Sequence, residues 1–499
     1  MGIRRLVGSL GVLRQYRHRR IRVARLAAAL RFAGLAGMAE IRTIFNQGGI
    51  TMLAKKMSGI ALCLALAAAV TTACGRGDAA PQPNAGTEDA AREAAKKAAE
   101  GPAEIVFYTS NGDSEENFNR LYGDALRKKF PQYTIKYILS GAKGQSLETL
   151  LASKTRFDVF MQGPGFFESQ AYPASIQYDM TALIKTHQLD LSRLDQASVE
   201  YVKQSSEGKA YFLPIQLEGM VLYYNKSLFD KFGVPYPTDG MTWEQMWDKA
   251  KLLTRKEGGV QYFGFGTNSS TIQGMNPLSI PLADPKTDTP TINKDERWKR
   301  FYDYFYEQPN KLPGYQDAIQ AIKGFPTLDM FVKDQTVAIF AYQSGLINVW
   351  EEQLKALNWD IVALPPMPGQ PGVGSMATPK LFGITSMAKD KDAAMIAIQY
   401  LLSDEHQKEL ARKGITPIVT TDAVKKELGK DSVYKDRNWN ALMHYKFAPL
   451  ALRPAYYSQL NAIYQKHFKA ASLGQTDLNS ALRAAEEESV KAIAEFKNK

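Results

Sequence analysis

The chain has 499 residues, 45% hydrophobic and 23% charged, which is too long for one core and ordinary for a globular protein. Its formal charge of +11 comes entirely from residues 1–74, which hold twelve Lys/Arg against one acid, Glu40; the rest carries 50 bases and 50 acids. The body is neutral, so a polyanion-binding reading would rest on the first 74 residues alone, and no nucleic acid is expected as a partner. The two cysteines, Cys63 and Cys74, give no disulfide framework in the body, and five scattered histidines lack metal-ligand spacing, so neither metal nor cofactor is expected.

From Met52 the sequence has the anatomy of a secretory signal peptide. Lys55 and Lys56 form its positive end, and Ile60 to Val70 is an apolar run too short to span a bilayer. Thr71, Thr72 and Ala73 then lead to Cys74. A cysteine directly after small residues resembles a bacterial lipobox, in which the thiol is acylated and becomes the mature N-terminus. The usual leucine three positions earlier is Thr71 here. Residues 1–51 are expected to be a mis-assigned N-terminal extension, 52–74 the lipoprotein signal, and 75–102 a flexible tether. The tether stretch holds no aromatic residue and cannot bury a core.

The body opens at Glu104. "EIVFYTS" predicts a buried strand, and Phe118, Leu121, Tyr122, Ala125 and Leu126 predict an amphipathic helix after it. "YTIKYIL" and "FDVFMQ" predict the next strands, with "SLETLLAS" a helix between them. Alternating strands and helices predict an α/β layer, in which ligands sit beyond the carboxyl ends of the strands. Those ends are Ser110, Asn111 and Asp113 after the first strand, and Gln162, Gly163 and Pro164 after the third. Further along, Tyr211–Pro214 and Gly219–Asn225 predict strands, and Thr242 with Gln245 a capping box. Trp298, Phe301, Tyr302 and Phe305 follow helical spacing and are expected to be core. "VQYFGFGTN", "QTVAIFAYQS" and "LFGITSM" predict strands, and "DAAMIAIQYLLSDEHQKELARKG" one long helix.

Several segments together resemble extracellular solute-binding proteins of ABC importers, of the maltose-binding-protein type. They are "GKAYFLPIQLEGMVLYYNKSLFDKFGVPYP" with "TWEQMWDKAKLLT", then "DQTVAIFAYQS", "ALPPMPGQPGVGS" and "FGITSMAKDKDAAMIAIQYLLSDEHQKELARKGITPI". The likeness covers about residues 104–499. It implies an α/β, two-lobed periplasmic-binding-protein-like II (Venus-flytrap) fold with hinge crossovers near Pro214–Gly219 and at the 365–374 loop. Lobe one is expected over 103–215 plus 375–425, and lobe two over 220–364 plus 426–499. The implied function is capture of a sugar or oligosaccharide and its delivery to ABC permease membrane subunits, by a monomer anchored outside the cell through Cys74.

Sugars call for aromatic platforms and planar polar groups. On the family pattern Glu218 is the sugar-contacting carboxylate, Asp113 the acidic cleft residue beside Asn111, and Phe166 an aromatic platform on the turn from Gly163. Gln343 follows the strand "VAIFAY", and Arg453, Tyr456 and Tyr457 match a segment with a stacking aromatic. Asn268 and Asn276 flank the cross-lobe loop. Two other readings stand beside this one. Tyr456–Tyr457 and Tyr223–Tyr224 raise a phenolate site for ferric ion. Asp113 and Glu218 could serve as paired carboxylates of an anchored glycan-processing enzyme, although no nucleophile elbow, HExxH or phosphate loop is present.

Overall fold

The computed structural model describes residues 93, 97, 98 and 100–498, except Asn111, Gly112 and Lys143. The segments 1–51 and 52–74, Cys74 and Asn111, and nearly all of the tether therefore lie outside the described residues.

Thirteen strands follow in chain order among the described residues. They are β1 (Ala103–Thr109), β2 (Tyr133–Leu139), β3 (Val159–Gln162), β4 (Leu213–Glu218), β5 (Met220–Asn225), β6 (Arg255–Glu257) and β7 (Val260–Thr267), then β8 (Val337–Gln343), β9 (Trp359–Ala363), β10 (Val373–Met376), β11 (Thr378–Ile384), β12 (Thr416–Pro417) and β13 (Lys446–Ala448). One sheet has the order β12-β4-β11-β3-β1-β2 and a second the order β6-β7-β8-β5-β9. In the first, β1 runs parallel to β2 and β3, while β11 is antiparallel to β3 and β4. Helices and mixed sheets in two lobes make this the two-lobed α/β binding-protein fold.

The passage between sheets is short. Only Gly219 separates β4 of the first sheet from β5 of the second. The Ser344 amide donates to the Gly219 carbonyl at 2.8 Å, and the Met220 amide to Ser375 Oγ at 3.0 Å. β9 returns to the first sheet through β10 and β11, and β10 pairs with β13. The segment near β13, expected in lobe two, packs in part against the first sheet: Ala448 and Leu450 share a buried cluster with Val106, Tyr108 and Phe160. The chain then leaves through 451–456, a further connection that carried no sequence signal.

Helices follow local pattern closely. α1 (Glu115–Phe118) and α2 (Asp124–Lys129) are joined by a π-helical turn, Asn119–Gly123, and all five predicted apolar positions are buried. α3 (Trp243–Leu253) begins with the Thr242–Gln245 capping box. α4 (Ser269–Gly274) follows β7. The single long helix expected after β11 is two, α5 (Lys391–Leu401) and α6 (Asp404–Arg412). Ser403 takes an extended conformation and its Oγ accepts the His406 amide, so the Ser-Asp-Glu run starts a new helix instead of continuing the old one. α7 (Tyr457–Ser472) and α8 (Leu478–Lys497) complete the chain. The aromatic set is core, with Trp298 and Phe301 wholly buried and Trp298 5.3 Å from the Tyr464 ring.

One buried amide ties α6 to the hinge strand. Gln407 is fully buried; its Nε2 donates to the carbonyls of Ile215 (2.9 Å) and Leu401 (2.7 Å), and its Oε1 accepts the Ile418 amide (2.9 Å). Leucine has similar bulk and none of these bonds. Gln407→Leu should therefore lower unfolding stability by at least about 2 kcal/mol, since each orphaned buried group costs about 1–3 kcal/mol; chemical denaturation measures it.

Candidate functional site

β1 lies between β2 and β3, so the chain winds out to one side of β1 and then to the other. A crevice opens at the carboxyl ends of strands where the order reverses in this way. There the structure has a cavity of ≈ 610 Å³. Asp113, beyond β1, and Gly163 and Phe166, beyond β3, line it. Its floor comes from the last residue of β4, Glu218, and the start of β11, Thr378 and Lys380. Glu218 and Thr378 are register partners. The second lobe contributes Gly345, Asn348 and Val349, just beyond β8. Arg120, Tyr122 and Gln216, with Ser114, Glu116 and Asn117, add further polar groups to the wall.

The charges in the cavity are unequal in their partners. Lys380 Nζ is ion-paired with the Asp113 carboxylate. The Tyr122 hydroxyl donates to Gln216 Oε1, and burial pushes that phenol well above its ordinary range. Glu218 has no hydrogen bond or ion pair among the described residues. Burial pushes its carboxyl above the ordinary range, the Lys380 ammonium pulls it back, and the Asp113 carboxylate adds to the rise. A Cβ at Gly345 would sit 2.7 Å from Glu218 Oε1, so a larger residue there would push the carboxylate aside. Asn348 Nδ2 is likewise buried without a partner. Two apolar faces reach the same space, Phe166 (45% exposed) from lobe one and Val349 (74% exposed) from lobe two. The cavity thus offers an acceptor without a protein donor and apolar walls, with the unbonded Asn348 amide beside them, which suits a ligand that has hydrogen-bond donors and C–H faces.

The remaining sequence candidates stand elsewhere. Gln343 pairs with Met220 in the sheet, its carbonyl accepts the Tyr223 hydroxyl at 3.0 Å, and it does not line the cavity. Asn268 caps α4, its Oδ1 accepting the Thr271 amide at 3.0 Å, and faces a separate groove with Phe325 and Lys466. Asn276 is 1% exposed and locks its own loop through Gln273 and Ile280. Tyr456 is a core residue: it is 4% exposed, its hydroxyl donates to Asp288, and its ring meets Phe496. Arg453 and Tyr457 lie beyond Thr378 and line a void of ≈ 10 Å³, not the larger cavity.

The tyrosine pairs that raised iron are engaged. Besides Tyr456, Tyr223 donates to the carbonyls of Gln343 and Ser344, and Tyr224 is buried. Among the described residues no three His, Cys, Asp or Glu gather as metal ligands, and no helix is long and apolar enough to cross a membrane. Sequence reasoning missed Lys380, Asn348 and Arg120. Lys380 had one signal, a lone charge within the apolar strand "TPKLFGI"; Asn348 had none.

Such a cavity, lined from two lobes with a strand passing directly between them, defines a two-lobed binding protein. The chain belongs to the bacterial extracellular solute-binding protein family, whose profile matches residues 122–436. That family is one of binding proteins that work outside the cytoplasm. A Brucella abortus relative, named only as a binding protein, is 24% identical over 238 residues, which are 44% of this chain and 53% of the relative. The chain thus spans about half the length of the curated relatives it matches. Among solved structures it is similar to a sugar transporter from Rhizobium etli in an open conformation, with a TM-score of 0.61 and 20% identity over 78% of this chain and 99% of that one. It is also similar to a cyclic alpha-maltosyl-1,6-maltose binding protein from Arthrobacter globiformis, with a TM-score of 0.62 and 14% identity over 79% and 99%.

The unpartnered carboxylate carries a pH signature. A carboxyl whose pKa is raised by folding binds its proton more tightly in the folded chain, so stability falls as pH rises from the ordinary carboxylate range through the raised value. Without ligand, Glu218→Gln should be more stable than the parent by about 1–3 kcal/mol at about pH 8. The gain should shrink towards zero by about pH 4, where the parent is itself protonated. Thermal unfolding at the two pH values checks this; a variant less stable than the parent at the higher pH contradicts it.

Proposed function

We propose that this protein captures a small carbohydrate between its lobes and delivers it to the membrane subunits of an ABC importer. The observation that carries the reading is the Glu218 carboxylate, half-buried and without a hydrogen-bond partner among the described residues, in a cavity walled by both lobes. A sugar hydroxyl supplies the missing donor, the Asn348 amide gains an acceptor, and the Phe166 and Val349 faces take the C–H surfaces of the ring. The names of the similar solved structures, which include binders of mannobiose and of maltose, support the same class.

The mechanism is closure. A ligand touching both lobes binds the closed arrangement better than the open one, and that differential affinity drives the lobes together about Gly219 and its neighbours. No bond is made or broken, so the chain acts as a receptor and not as an enzyme. On this reading it is a monomer outside the cytoplasmic membrane, tethered by acyl chains on Cys74; mass spectrometry of the mature N-terminus tests the anchor.

A thermal-shift screen over mono- and oligosaccharides tests the capture. A true ligand at 100-fold its dissociation constant raises stability by about 2.7 kcal/mol. Glu218→Ala should weaken binding of that ligand by about 1.5–3 kcal/mol, roughly ten- to a hundred-fold, as expected for a hydrogen bond to a charged group. Turnover of the sugar, in place of saturable binding, would replace the receptor by an enzyme. A screen in which no glycan shifts the transition rejects carbohydrate as the ligand.

A further inference from the structure

One end of the cleft is closed by side chains. Arg453 Nη2 donates to the Gly274 carbonyl of lobe two at 2.8 Å and lies 3.4 Å from Thr378 Oγ1 of lobe one. Its guanidinium sits over the Tyr457 ring, 4.9 Å from the centroid. Tyr457 reaches back to the same place: a Cβ at Gly274 would lie 2.8 Å from its hydroxyl. Thr378 lines the ≈ 610 Å³ cavity. Past Arg453 a void of only ≈ 10 Å³ lies between Gly274, Met376 and Leu452. Arg453 therefore stands between the open cavity and this small void, and it does not line the open cavity.

We propose that Arg453, stacked on Tyr457 and bonded to Gly274, is a plug that ends the cleft and restricts the ligand to a short glycan. The length restriction rests on the carbohydrate reading above; the plug itself does not. A glycan entering at Glu218 meets the guanidinium at Thr378 and cannot pass without breaking the bond to Gly274 and the stack on Tyr457. An alanine at 453 would remove the barrier and join the two spaces.

Two measurements on the full chain test this. The first needs no ligand. Met376 borders the collapsed space and is 2% exposed. A Met376→Cys thiol should react with a maleimide at least ~10-fold faster when combined with Arg453→Ala, above the background of Cys63 and Cys74. An unchanged rate overturns the plug. The second is calorimetric titration with maltose, maltotriose, maltotetraose and maltohexaose, and with the matching β-1,4-mannan series. For whichever series binds, the ratio of affinity for the longest to the shortest member should rise at least ~10-fold in Arg453→Ala. An unchanged ratio overturns the length restriction. If neither series binds either protein while the thiol rate rises, the plug stands and the length restriction falls with the carbohydrate reading. Arg453→Ser runs in parallel, so that poor folding of one variant does not decide the result.

Discussion

A half-buried carboxylate that no neighbouring side chain bonds lies where the first sheet becomes the second. Glu218 is the last residue of β4, Gly219 is the whole link, and Met220 begins β5. Taking such a charge partly out of water is unfavourable, which raises its carboxyl pKa, and the nearby Lys380 ammonium offsets part of that rise. The position tolerates it because the surrounding backbone is satisfied. Glu218 is in register with Thr378, and the flanking amides of Ser344 and Met220 bond across the link. The same continuity brings both lobes to the cavity that Glu218 lines, which is what the proposed closure on a ligand requires.

The two walls of the cavity differ in kind. Lobe one brings charge, in Asp113 paired with Lys380 and in Glu116, Arg120 and Glu218, while lobe two brings small, polar and apolar groups at the end of β8. Within that wall Asp113 and Lys380 answer one another, while Glu116 and Glu218 also face the cavity. The unbonded Glu218 carboxylate and Asn348 amide set part of the hydrogen-bonding pattern asked of a ligand. At the far end Arg453 belongs to the connection after β13 that also joins the lobes. The stop at the cleft's end and part of the hinge therefore share one stretch of chain.

Most elements were legible because their causes are local. β2 coincides with "YTIKYIL", the capping box stands at Thr242 and Gln245, and the apolar face of 115–129 is the buried face. The errors are also physical. Ser403 has a cap's chemistry, and in the folded chain its hydroxyl bonds the His406 amide and breaks the expected long helix. Tyr456 has the chemistry of a ligand platform, yet Asp288, 168 residues away, takes its hydroxyl.

Periodicity, cap residues and the family segments determined from sequence alone that this is a two-lobed α/β chain with Asp113, Gly163, Phe166 and Glu218 at strand ends. All four line the cavity. Only the tertiary structure decided which other groups join them. Lys380 meets Asp113 across 267 residues, and Arg453 meets Gly274 across 179. Partners so far apart along the chain leave no mark in spacing or propensity, because neighbours in sequence shape an element, whereas a site is shaped by whatever packing brings to the ends of those elements.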